Sequence, residues 1–309
     1  HRFVQHQQLP GGAQRPGHGL IHEKSRDLAL FHRQSHVGVG GIARKIKKGY
    51  IGIRGKARKI KKAYIGVGGV ARPCWSDGLE YYGTTTPLSK GRYGLAAASV
   101  GDYALFGGGY NDWASSVVDA YNASLTHSTP AALSTERRGL AATAVGSYAL
   151  FGGGNSGGTA YYNKVDSYNT SLTKGTASAL TVARAYLAAT TVGNYALFGG
   201  GNEELSSNPV ATVDAYDTSL TRSTPIALSA ARSGIGATAV GGYALFGGGE
   251  LGSGNSAIVD AYDENLTRIT LPNLSSARYG LAATSVGVYA LFGGGSPSAS
   301  SAIVDVYAA

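Results

Sequence analysis

The string Tyr-Ala-Leu-Phe-Gly-Gly-Gly occurs five times in this chain of 309 residues, starting at Tyr103, Tyr148, Tyr195, Tyr243 and Tyr289. The first glycines, Gly107, Gly152, Gly199, Gly247 and Gly293, are 45, 47, 48 and 46 residues apart. A period of this length belongs to solenoids and propellers, whose unit cannot bury its apolar face alone and stacks on a neighbour to do so. The chain is therefore confined to repeat architectures before any other property is considered.

Spacing within the unit narrows this further. Every unit opens on an arginine (Arg92, Arg137, Arg184, Arg232, Arg278), always 15 residues before the first glycine. Every unit carries Val-Asp-x-Tyr, with Asp119, Asp166, Asp214, Asp260 and Asp305, and the first four aspartates each precede the next arginine by 18 residues. Glycine to aspartate runs 12, 14, 15, 13 and 12. All length variation thus falls in one segment. Paired strands resist insertion because a one-residue slip turns every side chain to the wrong face. Surface loops accept it, and loops are where binding surfaces are built.

One unit reads as four short strands: 95–100, a turn at Gly101-Asp102, 103–106 running into the glycines, a variable loop, 117–121, and a fourth strand over 126–133 with Pro130 at an edge. Four short strands per unit with glycine turns is a propeller pattern. These residues resemble the kelch repeat, which has an arginine heading the first strand, a hydrophobic second strand ending in Gly-Gly and a tyrosine on the third. Arg92, Gly107-Gly108 and Tyr121 match it, as do their counterparts, over roughly residues 80–307. Kelch units usually carry a Trp after the third strand; here the stretch reads Ser124-Leu125-Thr126. The resemblance implies an all-β, kelch-like β-propeller of about five four-stranded blades. The segment before Arg92 aligns with 128–137 and is expected to complete the last blade, removing open edges. Kelch propellers more often have six or seven blades, so a truncated ring is the competing expectation.

Three zones follow: a disordered leader over 1–36, basic β-hairpin repeats over 37–75, and the propeller over 76–309. The leader holds six of the seven histidines, at spacings that match no metal motif. The second zone repeats every 14 residues, Ala43–Lys56 being followed by Ala57–Val70. Residues 41–72 carry eleven Lys/Arg and no acid, whereas 73–309 carry eleven Lys/Arg and sixteen Asp/Glu. The net charge of +9 is thus the property of one short stretch. Arg44, Lys45, Lys47, Lys48, Arg58, Lys59, Lys61 and Lys62, interleaved with Tyr50 and Tyr64, form a polyanion candidate. Such binding would weaken steeply with salt. The 14-residue regularity favours instead an attachment or homo-oligomerisation module, and nucleic acid or an anionic surface is the lesser partner. The chain has no methionine and begins at His1, so its natural start is expected to lie elsewhere. No apolar run is long enough to span a membrane.

Enzymatic chemistry finds few residues. The propeller zone has one histidine, His127, and Cys74, outside it, is the sole cysteine. A Ser-His-Asp or Cys-His catalyst, a metal centre and a cofactor are not expected. A glycosidase would need an acid pair outside the repeat register, such as Glu203-Glu204 or Glu250. The repeated arginines and aspartates are read as a structural ring, with a ring at the binding mouth as the alternative. Asn122, Asn169, Asn265 and Asn273 sit in glycosylation-like strings that turn chemistry alone also produces. The binding candidates lie in the variable loops: Tyr110, Trp113, Tyr161, Tyr162, Asn202, Glu203 and Glu250. Aromatics among small polar residues stack on sugars or pack on proteins. The reading is a non-catalytic propeller that recognises a protein or glycan through one loop face, with a carbohydrate-active enzyme or a polyanion binder as alternatives. The near identity of the units resembles arrays of bacterial or prophage-encoded surface proteins, which implies an extracellular, cell-surface or virion setting.

Overall fold

The computed structural model describes residues 83–203, 208–296 and 300–309, and the backbone of six strands between His36 and Ser76. It is all-β among these residues and divides into two units, His1–Gly83 and Thr84–Ala309. The leader expectation, apart from His36, lies outside the described residues.

In the first unit the strands pair as three antiparallel hairpins: His36–Val39 with Ile42–Lys45, Gly49–Ile53 with Lys56–Ile60, and Lys62–Val67 with Val70–Ser76. The second strands begin at Ile42, Lys56 and Val70, so the 14-residue period is one hairpin per repeat. β-branched and tyrosine residues favour these extended segments. The third hairpin shifts register at Ala63/Tyr64.

The second unit has the blades of a β-propeller. Blade 1 orders its strands Ala96–Val100, Tyr103–Gly107, Val118–Asn122 and His127–Ser128 from the inside out, each antiparallel to the next. Blades 2 to 4 repeat this, with inner strands Ala141–Val145, Ala188–Val192 and Gly236–Val240. Blade 5 has three strands: Ala282–Val286, Tyr289–Gly293 and Val304–Ala308. The fourth strands are shorter than the sequence implied. In blade 1 only His127–Ser128 pairs, because the chain then leaves the sheet for blade 2. There the Tyr168 hydroxyl donates to the carbonyl of Ala131 (2.6 Å) and the Ser134 N–H donates to Asp166.

A second correction concerns closure. The segment before Arg92 does not complete blade 5. It is held by its own blade, where the Ser89 N–H donates to Asp119 Oδ1 (3.0 Å) and the Tyr121 hydroxyl donates to the Thr86 carbonyl (2.8 Å). These are the contacts that 131–134 makes with blade 2, so the segment is a linker rather than a strand.

Four apolar cores lie between successive blades. Each centres on the phenylalanine of the repeat. Phe151 sits against Gly107 of the blade before it, where an added Cβ would stand 2.8 Å from the ring. Phe198 meets Gly152, Phe246 meets Gly199 and Phe292 meets Gly247 in the same way. Glycine is required because the ring occupies the space a Cβ would take. Each phenylalanine also lies edge-on to the tyrosine of its own blade, as Phe246 does to Tyr262 at 6.0 Å. Leu172, Leu220 and Leu266, each in the turn after the third strand, turn into these cores. They do so from left-handed backbone, with φ near 60°. Asn122 and Asn169 each accept two backbone N–H groups in the same turns, and Asp217 and Asp263 do so in blades 3 and 4.

Candidate functional site

The five arginines and five aspartates pair within each blade: Arg92–Asp119 at 2.6 Å, Arg137–Asp166 at 2.7 Å, Arg184–Asp214 at 2.8 Å, Arg232–Asp260 at 2.5 Å and Arg278–Asp305 at 2.7 Å. The four internal pairs have no solvent-exposed side chain, and only Asp305 in blade 5 keeps some exposure. In blades 1, 2, 3 and 5 the guanidinium also donates to the carbonyl of the repeat phenylalanine, as Arg184 does to Phe198 (3.1 Å). The aspartate's other donors come from the arriving linker: Ser89, Ser134, Thr181, Ser229 and Ser275. A fourth-strand side chain adds to this in four blades, His127, Lys174, Arg222 and Arg268. The pairs therefore lie inside the blades, where they fasten linker to sheet. They do not line the loop face.

These contacts set the acid limit of the fold. Burial raises the Asp119 carboxyl, but hydrogen bonds from the Ser89 N–H, His127 and Arg92 outweigh it and hold the pKa at about 2. Asp305 is lowered likewise, with Arg278 and Ser275 overcoming burial. A carboxyl lower in the folded than in the unfolded chain stabilises above its unfolded value near 3.8, and that contribution is lost as pH falls towards 2. Tyr168, Tyr216 and Tyr262 move the other way, raised first by burial and then by the neighbouring aspartate; Tyr307 is raised to about 12. The neutral phenols stabilise fully below their unfolded value near 10, and this is lost as pH rises through the folded values. The melting temperature is expected to fall both from pH 4 to 2 and above pH 10. Calorimetry across pH, with the part of the tyrosinate absorbance that belongs to the buried phenols appearing only on unfolding at the alkaline end, checks both limbs. A flat profile would contradict both.

The variable segments all leave from the end of the second strand and return to the third, so they share one edge of the blades. That edge is stitched together by backbone. Gly109, Gly154, Gly201 and Gly249 donate to the carbonyls of Arg137, Arg184, Arg232 and Arg278 of the following blade, at 2.8–2.9 Å. A second run of bonds follows the inner strands round the mouth. Gly139 donates to Gly94, Tyr186 to Gly139, Gly234 to Tyr186 and Gly280 to Gly234, at 2.7–3.2 Å. All five residues have φ of 56–65°. Four are glycine, for which this conformation is free; Tyr186 is not, and a left-handed tyrosine costs roughly 1–2 kcal/mol. Its side chain is 44% exposed, and its ring lies against Gly139. Backbone strain held at an exposed aromatic points to function. Position Arg+2 reads Gly, Gly, Tyr, Gly, Gly along the sequence, so the exception is legible there.

The sequence candidates are distributed over this edge. Tyr110 pairs with Tyr93 by backbone, and their rings meet edge-on at 5.5 Å. The Arg138 guanidinium of blade 2 lies 4.5 Å from the centre of the Tyr110 ring, a cation–π arrangement. Gly157 of blade 2 also abuts Tyr110, so the first two loops touch. Trp113 sits in the two-residue strand Trp113–Ala114 and is 79% exposed. Tyr161 bridges Asn155 and, like Tyr162, is half-buried. Asn202 is buried between Ala185 and Pro209, and its Oδ1 finds no hydrogen-bond partner among the described residues. Glu203 and Glu250 are half-buried on the neighbouring blades 3 and 4, Glu250 within a short strand, Glu250–Leu251, rather than a loop. Glu204 lies outside the described residues, as do Lys47, Lys48 and Lys61 of the basic set. The others of that set occupy strands: Arg44 and Lys45 in Ile42–Lys45, Arg58 and Lys59 in Lys56–Ile60, and Lys62 in Lys62–Val67. Among the described residues no three His, Cys, Asp or Glu are grouped to hold a metal, and no helix is long and apolar enough to cross a membrane.

No family model and no curated protein matches the sequence. Solved structures do: 360 chains are similar, so the fold by itself selects no function. One is YjhT, at 16% identity and a TM-score of 0.57, covering 68% of this chain and 75% of that one.

Proposed function

We propose that the chain is a binding module that recognises a glycan at the loop face, around the mouth formed by the inner-strand rail. The carrying observation is Tyr186, an exposed ring held in left-handed backbone where every other blade has glycine. Tyr93 and Tyr279, also exposed, stand one position before the rail in blades 1 and 5. The same positions in blades 2 to 4 are Arg138, Ala185 and Ser233. The exposed rings of Tyr93, Tyr186 and Tyr279 thus stand on blades 1, 3 and 5, with Arg138 of blade 2 and the buried Ser233 of blade 4 at the positions between them. A protein-binding hot spot calls for packed anchors in a desolvated pocket. Separated rings with open backbone between them suit sugar faces and their hydroxyls.

The test is an oligosaccharide array probed with the full chain, followed by calorimetry on the best sugar. Tyr186→Gly is expected to weaken binding roughly tenfold, the loss of one aromatic contact. Because it removes the strained conformation, its melting temperature should stay level or rise by the equivalent of about 1 kcal/mol. Binding that survives Tyr186→Gly, or an array with no retained sugar, would overturn this reading. Release of product sugars in the same experiment would favour the enzyme reading with Glu203 and Glu250.

A further inference from the structure

Of the eight arginines among the described residues, seven form an ion pair with a blade aspartate, and Arg138 forms none. Arg138 stands one position before Gly139 of the inner-strand rail and is half-buried. It is the one charged residue in its register, where the other blades carry Tyr93, Ala185, Ser233 and Tyr279. Its Nε is enclosed and has no hydrogen-bond partner among the described residues. A guanidinium stays charged and carries five N–H donors. The face of Tyr110, 4.5 Å away, answers the charge but not the in-plane donors. An enclosed donor left without an acceptor is costly.

The side chain is nevertheless held firmly. The Arg138 backbone exchanges two hydrogen bonds with Asn155, both of 2.9 Å. Gly157 closes on the Tyr110 ring so tightly that an added Cβ would stand 2.9 Å from it. A cation fixed by stacking, with no counter-charge of its own, is preorganised for an anion. It also lies beside the strained tyrosine: a Cβ added at Gly139, the next residue, would stand 3.2 Å from the Tyr186 ring.

We infer that the sugar taken at this face is anionic, its carboxylate or sulfate received by Arg138 while its ring rests on Tyr186. This rests on the glycan reading above and adds the charge of the ligand to it. Arginine offers such groups two parallel donors, which a neutral sugar cannot use as well.

The test is an oligosaccharide array that carries each neutral glycan beside its uronate and sulfate forms, probed with the full chain and followed by calorimetry on the best matched set. The parent chain should bind one charged form at least tenfold more tightly than its neutral counterpart, and which form wins identifies the group. Arg138→Gln should erase that preference by weakening the charged form about tenfold, while neutral-sugar binding stays level and shows that the variant is folded. Lys164→Gln removes the same charge from an exposed residue of the same blade and should change neither. A parent that binds neutral and charged forms equally overturns this inference and leaves the glycan reading standing. A preference that survives Arg138→Gln, or that Lys164→Gln reduces as much, overturns it as well. An array that retains no sugar overturns the glycan reading and this inference with it.

Discussion

Arg184→Ala is expected to destabilise the Thr84–Ala309 unit by about 3–5 kcal/mol, the usual result of removing one partner from a buried ion pair. For a unit of this size that is a fall of roughly 6–20 °C in melting temperature. The reason is what stays behind. Asp214 has no exposed side-chain surface, and without Arg184 only the Thr181 donors at 3.1–3.3 Å and the distant Arg222, at 3.8 Å, face it. The Phe198 carbonyl loses its guanidinium donor as well. Replacing both partners, Arg184→Met with Asp214→Leu, should recover part of the loss, because no unpaired charge is then buried. Thermal unfolding followed by circular dichroism decides it. A single variant that melts with the parent would show that the pair does not hold the blade.

Phe246→Ala is expected to cost a similar amount, about 3–5 kcal/mol, through the cavity left in the core between blades 3 and 4. The ring fills the space over Gly199 and stacks edge-on to Tyr262, so two blades lose contacts at once. The comparison that makes the result specific is Phe106→Ala, measured at low protein concentration. The same substitution in the same string should cost far less there, because Phe106 has no glycine socket over it. Equal losses at Phe246 and Phe106 would contradict the account of where the cores lie.

Much of the fold is legible in the sequence. The constant spacing from arginine to glycine and from aspartate to the next arginine marks segments that tolerate no slip, and these are the paired strands and linkers. The variable spacing between glycine and aspartate placed every insertion on one edge. The fourth strand of blade 1 is shorter than its sequence implies: 126–133 has extended character throughout, yet only His127–Ser128 pairs. Its remainder is extended in order to reach the next blade. Position Arg+2 also carried a readable signal, since Tyr186 breaks a run of glycines that only left-handed backbone demands.

Repetition along the chain by itself determined the unit, its strands, its order and the edge that varies, because strand pairing within a blade is local and is specified by adjacent residues. The tertiary structure alone decided which of the identical positions are buried. Val165 and Val304 occupy the same place in the same motif, yet one is buried and the other open to solvent. Burial is set by what stands across the gap, and a phenylalanine finds its glycine in the preceding blade rather than in its own, so no local pattern registers what stands there.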